Sequence, residues 1–507
     1  MSGMDMKAAR YRSAVRSNRD RFDRMVHMAV AENDREAACA KIGNAARFAA
    51  LCGTGFYASS VLEERLLGIA ESIVNAGEGE GLKPEGTLLV ATELYAVGGH
   101  TKVLERIGEM LAEDGERVSL FITSPANKYI PDSLRTAALE SGGEVVEAKA
   151  GAYCERACRL RTYAGTFRRI VLMTHPEDVM PVLAFGTRRF QRPVFVYGHA
   201  NHTFWLGVSI ADCVLELNEW GRANDIAQRG IPAERIDVVG LPVAQTSVAP
   251  ATTDRQSLSD RIGVPPCGSL VVTAASPRKF RTVGDLDFKV IAEGILSRSE
   301  DAVLVVIGPD VPGTPEWDDI RERYMGRFIC TGPLKYPDLL ACYAVAAVVV
   351  DSYPLNGWTS LMDAISIGAA VVCPQGSMGL MDYLVDSPAY APDAAFAVEK
   401  ILRLVASPAA RRENAKEMHR RMINSTDYGV VKRRMLAAMS KVPGHSTYEF
   451  CEVPNVEPTI QDMTIYAMTV RRKTKFSIPG LAISSIREGT SKYHELSLFG
   501  GRFVWRF

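Results

Sequence analysis

The sequence predicts an α/β protein with two doubly wound domains, each containing a parallel sheet. Runs of β-branched apolar residues, such as Ala302 to Ile307 and Ala344 to Val350, are typical of strands buried on both faces. Stretches with apolar residues at helical spacing separate these runs, which is the pattern of βαβ units. The chain has 507 residues, enough for two such domains with additional segments.

Composition and charge exclude several classes of protein. Lys+Arg and Asp+Glu both number 59, so no overall basic field favours nucleic acid binding. The 10 cysteines are scattered, and Cys154 and Cys158 have no second pair nearby to complete a zinc site. The N-terminus is charged where a signal peptide is apolar, and the longest apolar run, Leu339 to Val350, is too short for a membrane span. We expect a cytoplasmic protein with reduced thiols and no bound metal.

Residues 1–80 are predicted to form a helical N-terminal segment. They are rich in Ala, Arg, Glu and Met, and apolar residues such as Phe22, Met25 and Val26 recur at helical spacing. These helices are either an oligomerisation or acceptor-docking module or a cap on the next domain. Residues 77–86 are rich in glycine and predict a linker.

The first α/β domain is predicted over residues 87–245. It begins with a strand, a helix and a second strand at Thr87–Thr92, Val103–Asp114 and Arg117–Thr123. The turn Gly98-Gly99-His100 follows the first strand, so it lies at the carboxyl edge of the sheet, where α/β proteins bind ligands. Glycines there allow a ligand to approach the backbone closely. His100 either takes part in chemistry or simply starts the helix.

Two further histidines are candidates for chemistry in this domain. Further strands are predicted at Arg169–Thr174, Pro193–Tyr197, Cys213–Asn218 and Ile236–Val239. His199 and His202 come directly after the second of these, where they could contact substrate hydroxyl groups or transfer a proton. His-x-x-His on a loop lacks a third metal ligand. The alternative is that one of the two histidines pins the loop by a backbone hydrogen bond.

The second α/β domain is predicted over residues 262–440, after a polar linker at 244–260. Its strands are expected at Ser269–Ala274, Ala302–Ile307, Phe328–Gly332, Ala344–Val350 and Ala369–Cys373. After the first strand comes the basic turn Ser276-Pro-Arg-Lys279-Phe-Arg281. Such a turn suits a phosphate, or else is a solvated basic surface. A glycine-rich loop, Pro374 to Gly379, follows the last strand.

The segment Asp351-Ser-Tyr-Pro-Leu-Asn-Gly-Trp-Thr-Ser-Leu-Met-Asp363 carries the clearest functional pattern. Thr359 and Ser360 fall at a helix N-terminus, where hydroxyls, free amides and the helix dipole favour a phosphate or diphosphate. Asp363 lies one turn deeper on the same face, where a carboxylate can accept hydrogen bonds from a ribose diol. Capping of the helix is the alternative role for these residues.

This segment resembles the donor site of GT-B nucleotide-sugar glycosyltransferases of the O-GlcNAc transferase type. The resemblance covers residues 87–425 and implies two Rossmann-like domains facing a cleft, an acceptor-side domain at 87–245 and a donor domain at 262–440. It implies that Thr359 and Ser360 hold the UDP diphosphate and that Asp363 holds the ribose. It also implies that Lys279 neutralises the leaving group, with Arg278 and Arg281 as local alternatives. Trp358 stands where that family has histidine. Retaining GT-B enzymes with an E-x7-E motif match less well, because Leu355 would replace the first glutamate.

The resemblance also implies a reaction and a set of donor-binding residues. The predicted reaction transfers a sugar from a UDP-sugar, with UDP-GlcNAc favoured, to a hydroxyl on a protein or glycan, with inversion and without a metal or cofactor. His100, His199 or His202 would assist the acceptor and Lys279 the leaving group. The alternatives are a catalytically silent GT-B partner module and a UDP-sugar 2-epimerase. The donor-binding residues are Gly99, Ser276, Lys279, Arg281, Gly332, Asn356, Gly357, Trp358, Thr359, Ser360 and Asp363.

The C-terminal part is predicted to be helical over 393–441 and then to change character. Residues 445–507 contain short β-like runs at Thr464–Val470 and Leu498–Phe507, which predict a small β appendage. A homo-oligomer contact or a protein partner would be expected to use this appendage or residues 1–80.

Overall fold

The computed structural model describes residues 3–73, 84–95, 99–242, 255–309, 317–442 and 444–469, and the strands between 471 and 506 without their connecting turns. Most of the predicted linkers 77–86 and 244–260, and Gly98 of the predicted glycine turn, lie outside these residues. The chain divides into two compact units. The seven-stranded unit comprises residues 12–242 and 431–507, and the six-stranded unit comprises residues 1–11 and 243–430.

The seven-stranded unit is built on a parallel sheet with the order β3-β2-β1-β4-β5-β6-β7. The strand order reverses between β1 and β4, which makes the sheet doubly wound and creates a switch point at its carboxyl edge. Its strands are Thr87–Ala91 (β1), Val118–Ile122 (β2), Val145–Glu147 (β3), Arg169–Met173 (β4), Val194–Tyr197 (β5), Cys213–Glu216 (β6) and Ile236–Val238 (β7).

Helices cover this sheet and bury its apolar residues. α2 and α3 share one core with β1, β4 and α6, in which Ile42, Leu66, Leu88 and Ile170 are buried. The N-terminal helices therefore belong to the core of this unit. The helices are Gly3–Val30 (α1), Arg35–Cys52 (α2), Ser60–Ser72 (α3), Gly99–Glu113 (α4), Asp132–Glu140 (α5), Tyr153–Ala164 (α6), Met180–Phe185 (α7) and Glu219–Arg229 (α8).

The six-stranded unit has a parallel sheet with the order β10-β9-β8-β11-β12-β13. Its strands are Ser269–Ala274 (β8), Ala302–Ile307 (β9), Phe328–Gly332 (β10), Val348–Val350 (β11), Val371–Pro374 (β12) and Tyr390–Ala391 (β13). Its helices are Arg255–Ile262 (α9), Phe288–Arg298 (α10), Asp318–Arg323 (α11), Tyr336–Val345 (α12), Trp358–Ser366 (α13), Ala394–Ala406 (α14) and Pro408–Thr426 (α15). The two parallel sheets with their flanking helices confirm the predicted α/β class with two doubly wound domains.

Two sequence predictions are wrong in their type of secondary structure. The run Ala344–Val350 is a strand only from Val348, because Ala344 and Val345 are the last two residues of α12, whose buried side chains precede them. The predicted β-like run Thr464–Val470 is instead helical, within Ile460–Thr469 (α17). Its Met463, Ile465, Tyr466 and Ala467 are buried, so tertiary burial outweighs the β propensity of the threonine and isoleucine residues.

The C-terminal part returns to the seven-stranded unit. It begins with Tyr428–Ser440 (α16), and buried His445 then places its Nδ1 2.7 Å from an Asp212 carboxylate oxygen. A four-stranded antiparallel sheet follows, with strands Arg471–Ile478 (β14), Leu481–Glu488 (β15), Ser491–Leu498 (β16) and Gly501–Arg506 (β17). In the described part of the chain, no helix combines the length and apolar character that a membrane span requires.

Candidate active site

The carboxyl edge of the six-stranded sheet brings together the predicted donor-site residues. Lys279 lies in a 3-10 turn, Pro277–Phe280, directly after β8, and Gly332 ends β10 with a positive φ of 70°. The segment after β11 leads through Asn356 and Gly357 into α13. Because these strands are parallel, the ends of β8, β10 and β11 lie at one edge, which is where such sheets bind ligands.

Asp351 organises the loop between β11 and α13. Its buried carboxylate accepts hydrogen bonds from the backbone amides of Ser352 at 2.8 Å and Gly357 at 2.7 Å, and from Asn356 Nδ2 at 3.0 Å. Burial raises the pKa of Asp351, while the hydrogen bonds and the nearby Lys279 ammonium act in the opposite direction. The carboxylate thus closes a rigid turn that presents the start of α13.

Lys279 is attached to the same loop. Its Nζ donates to the carbonyl oxygen of Asn356 at 2.7 Å, and its own carbonyl accepts from the Leu355 amide at 3.2 Å. Burial lowers the pKa of Lys279, and Asp351 partly offsets this effect. An ammonium has three N–H donors, and the described hydrogen bond uses one of them. The side chain is therefore held in place while it keeps donors and charge for an anion.

The first turn of α13 combines free amides with side chains of different character. Amides in a first helical turn lack acceptors from a preceding turn, although the Ser360 amide donates to the Gly357 carbonyl at 2.9 Å. The Thr359 side chain is exposed, whereas the Ser360 hydroxyl lies 2.5 Å from the Tyr343 hydroxyl oxygen. The indole Nε1 of Trp358 is buried and has no hydrogen-bond partner among the described residues. Asp363 is half-buried in the next turn, four residues after Thr359.

The other predicted donor-site residues take different positions. The Asn356 side chain is only 5% exposed and braces the loop, since its Nδ2 also donates to the Pro374 carbonyl at 3.1 Å. Ser276 is exposed and begins the Lys279 turn, and Arg281 is half-buried after it. In the seven-stranded unit, Gly99 is the exposed first residue of α4.

A cluster of three histidine rings lies at the carboxyl edge of the seven-stranded sheet. The centroid of the His100 ring is 4.7 Å from that of His199 and 6.1 Å from that of His175. His175 follows β4, His199 follows β5, and His100 lies at the start of α4 after β1. The strand order reverses beside these strands, so the cluster occupies the switch point of the sheet.

Hydrogen bonds to backbone carbonyls define which nitrogen carries the proton in two of these rings. His199 Nδ1 lies 3.2 Å from the Tyr197 carbonyl oxygen, and His100 Nε2 lies 3.0 Å from the Met173 carbonyl oxygen. A carbonyl only accepts, so both nitrogens are donors, and in the neutral rings His199 Nε2 and His100 Nδ1 carry the lone pair. Burial lowers the pKa of both histidines, most strongly for His199, and His100 adds to the effect on His199. His199 Nε2 is thus a base that is neutral at physiological pH.

His202 follows the cluster in sequence, and its charge is one of the smaller influences that lower the pKa of His199. The backbone carbonyl of His202 accepts a hydrogen bond from Gln461 Nε2 of α17 at 3.0 Å, and its side chain is half-buried. Across the described residues, no group of three or more His, Cys, Asp or Glu side chains has an arrangement that could hold a metal ion.

Sequence reasoning missed His175, together with Tyr95, which stacks on it. The two ring centroids are 5.9 Å apart and the planes are nearly parallel, at 1°. His175 follows its strand in the same way as His199, so the position after β4 was the signal that could have identified it. Tyr95 is 46% exposed, and its hydroxyl donates a hydrogen bond to Glu93. Partial burial, together with this hydrogen bond, raises the pKa of Tyr95 to about 12.

Comparison with known proteins finds similarity in structure. No protein-family model matches the sequence, and no curated protein shows significant sequence similarity. HepE from Anabaena, solved with UDP-glucose, is 13% identical with a TM-score of 0.52 over 70% of this chain and 100% of that chain. A glycosyltransferase from Rickettsia africae is 11% identical with a TM-score of 0.53 over 71% and 99%.

A mutant O-GlcNAc transferase from Thermobaculum terrenum is also similar. It is 14% identical with a TM-score of 0.51 over 85% of this chain and 81% of that chain. Identities at this level establish the shared GT-B fold alone. The O-GlcNAc transferase is one of several glycosyltransferases of this fold that resemble the chain.

Proposed function

We propose that this protein is a glycosyltransferase that transfers a sugar from a UDP-sugar to an acceptor hydroxyl. One observation carries the proposal: the Lys279 ammonium is hydrogen-bonded to the loop that Asp351 holds at the start of α13. This loop lies at the carboxyl edge of the six-stranded sheet. A positive side chain, free helix amides and an exposed Thr359 hydroxyl on one rigid loop suit a diphosphate.

The donor would be held by groups with distinct tasks. Lys279 and the N-terminal amides of α13 would bind the diphosphate and stabilise the negative charge that develops as it leaves. Asp363, one turn along α13, would accept hydrogen bonds from the ribose hydroxyls. Trp358 would offer its unpaired indole N–H to the diphosphate or the sugar, in the place where the O-GlcNAc transferase type has histidine. The positive charge of Lys279 and of the helix terminus would take the place of a metal ion.

Acceptor activation would fall to His199 in the seven-stranded unit. Its neutral Nε2 would take the proton of the acceptor hydroxyl as that oxygen attacks the anomeric carbon. The bond between that carbon and the diphosphate oxygen breaks, and its electron pair leaves with UDP. Attack opposite to the leaving group inverts the anomeric configuration. His100, whose ring lies 4.7 Å away by centroid, helps to keep His199 neutral.

The neighbours support the class of donor. HepE is described in complex with UDP-glucose, and the Thermobaculum protein is an O-GlcNAc transferase. We favour UDP-GlcNAc, with a protein or glycan acceptor, because the motif after β11 resembles the O-GlcNAc transferase type. A UDP-sugar 2-epimerase would need an exposed pair of acid/base carboxyl groups, and Glu216 and Asp225, which are 0% exposed, do not supply one.

Isothermal titration with UDP, UDP-GlcNAc and GDP tests the proposal. The Lys279→Ala variant should bind UDP about 10-fold or more weakly, because a charge-assisted hydrogen bond contributes roughly 1.5–3 kcal/mol. The Asp363→Ala variant should also lose affinity. Arg278→Ala is the matched control, since Arg278 is the exposed neighbour of Lys279 in the same turn.

The outcomes separate the alternatives. UDP binding that is weakened in both site variants and unchanged in the control supports the donor site, and UDP release with candidate acceptors then measures transfer. Binding without turnover, with acceptor panels that include peptides and glycans, would favour the silent partner module. Absence of nucleotide binding by the wild-type protein would refute the enzyme proposal.

A further inference from the structure

A network of buried polar side chains lies beneath the turn that carries His199. It is formed by Glu216 at the end of β6 and by Asp225 and Arg229 of α8, all three 0% exposed. Buried charged groups of this kind are costly unless each has partners. The contacts of this network lead to the turn after β5.

Asn201 connects the network to the turn. Its side-chain Nδ2 donates to Glu216 Oε2 at 3.0 Å, and its backbone amide donates to the Gly198 carbonyl at 3.3 Å. Its own carbonyl accepts from Arg229 Nη2 at 3.1 Å and from Asn224 Nδ2 at 2.9 Å. Both the side chain and the main chain of Asn201 are therefore held, two residues after His199.

Glycines make room for the Glu216 carboxyl group against the turn. A Cβ atom added to Gly198, the residue before His199, would lie 2.1 Å from Glu216 Oε1. One added to Gly221 in the first turn of α8 would lie 2.0 Å from Glu216 Oε2. The carboxyl group thus fills the space between the His199 turn and α8, so its shape as well as its hydrogen bonds determines where the turn lies.

The two carboxyl groups interact with each other, and burial raises the pKa of both. Glu216 Oε1 and Asp225 Oδ2 are buried oxygens that accept no hydrogen bond from any other described residue. Arg229 Nη1 is 2.7 Å from Asp225 Oδ1, so Asp225 is the ionised member. Burial and the neighbouring Asp225 charge raise the pKa of Glu216 well above its ordinary value, which keeps Glu216 protonated as the donor to Asp225.

We propose that Glu216, hydrogen-bonded to Asp225 and Asn201, is a positioning residue that holds the His199 imidazole in the orientation of a base. The chain of contacts runs from Arg229 through Asp225 and Glu216 to Asn201 and the turn. The proposal deepens the proposed function, since it matters for transfer only if His199 is the base. The orientation of His199 itself, however, is measured without nucleotide or acceptor.

Imidazole ¹⁵N NMR on the full chain tests the proposal. The protein has 8 histidines, and a His199→Gln variant identifies the His199 signals. In the wild type, His199 should show the tautomer with the proton on Nδ1 and a titration midpoint below 6.5. Glu216→Ala should shift His199 toward a mixture of tautomers and move its midpoint up toward the ordinary value of about 6.5.

Three further variants keep the test decisive. Glu216→Gln should retain the wild-type His199 signals, because a carboxamide still donates to Asp225 and accepts from Asn201. Asn201→Ala removes only the hydrogen bond between Glu216 and the turn, and should shift the His199 signals as Glu216→Ala does. This variant supplies the test if Glu216→Ala does not fold. Glu63→Ala is the control: Glu63 is 0% exposed in the same unit but accepts from the amides of Gly207, Val208 and Ser209, so His199 should not respond.

The proposal is overturned if His199 titrates in Asn201→Ala as it does in the wild type, or if Glu216→Gln disturbs it as much as Glu216→Ala does. A shift of equal size in Glu63→Ala would also overturn it, because the effect would then be general destabilisation. His199 signals that follow the prediction in a protein without glycosyl transfer would refute the proposed function and leave the positioning role intact.

Discussion

Arg229 and Arg222 allow a matched test of the buried network, because both lie on α8 and both pair with an acidic residue of that helix. Arg229 is 0% exposed, pairs with Asp225 and donates to the carbonyls of Asn201 and Thr203. The Arg222 side chain is 38% exposed and its nitrogen lies 3.4 Å from a Glu219 oxygen. The perturbation is replacement of each arginine by methionine, which keeps much of the apolar stem.

The expected magnitudes differ because the two pairs differ in burial. Arg229→Met leaves the Asp225 carboxylate buried without its cation and removes the Arg229 donor from the Thr203 carbonyl, while the Asn201 carbonyl keeps the hydrogen bond from Asn224. Removing one partner of a buried pair costs about 3–5 kcal/mol. Arg222→Met removes an exposed pair, which contributes about 0.5 kcal/mol or less. The ring contacts of the Arg229 guanidinium, 5.3 Å from the Trp205 centroid, add to the first value.

Amide hydrogen exchange of α8 and β6 is the assay, because it reports the local opening free energy without assuming that the whole chain unfolds in one step. Exchange of these amides should become about 150-fold to 5,000-fold faster in Arg229→Met and should change by about 2-fold or less in Arg222→Met. Similar exchange rates in the two variants would refute the reasoning about burial.

Two further predictions concern pH and a glycine. The pKa of Glu216 is higher in the folded than in the unfolded chain, so the stability that its proton contributes is lost as the pH rises above about 4.5 through the folded pKa. In Glu216→Gln, whose carboxamide does not titrate, the free energy of unfolding in urea should therefore differ less between pH 5 and pH 8 than in the wild type. The same pH dependence in both proteins would contradict this prediction. A Cβ on Gly376 would lie 2.2 Å from the Pro354 carbonyl oxygen, so Gly376→Ala should displace the loop and weaken UDP binding measured by titration. Gly68→Ala in α3 is the control, because a Cβ there has no other atom within 4 Å. This variant should bind UDP normally, and its free energy of unfolding should rise by about 0.5–1 kcal/mol.

Local sequence patterns determined the class of fold and most of its strands. Parallel strands buried on both faces leave an unambiguous apolar run, as in Ala302–Ile307, which forms β9 with the same bounds. Gly368, two residues after the end of α13, has the positive φ of 82° that favours glycine at such a position. The failures fell where burial decides the type of element, as in α17, because a short run of β-branched residues has no local feature that separates strand from helix.

The arrangement of the candidate site depended on contacts between distant segments. The sequence singled out Lys279 and the segment from Asn356 to Asp363 by their pattern, and His199 by its place after a strand. Only the tertiary structure showed that Ser360 meets Tyr343, that Asn356 turns inward, and that His175 joins His100 and His199. Side-chain partners and protonation states arise from residues that the fold brings together across long stretches of chain, and spacing along the sequence carries no information about them.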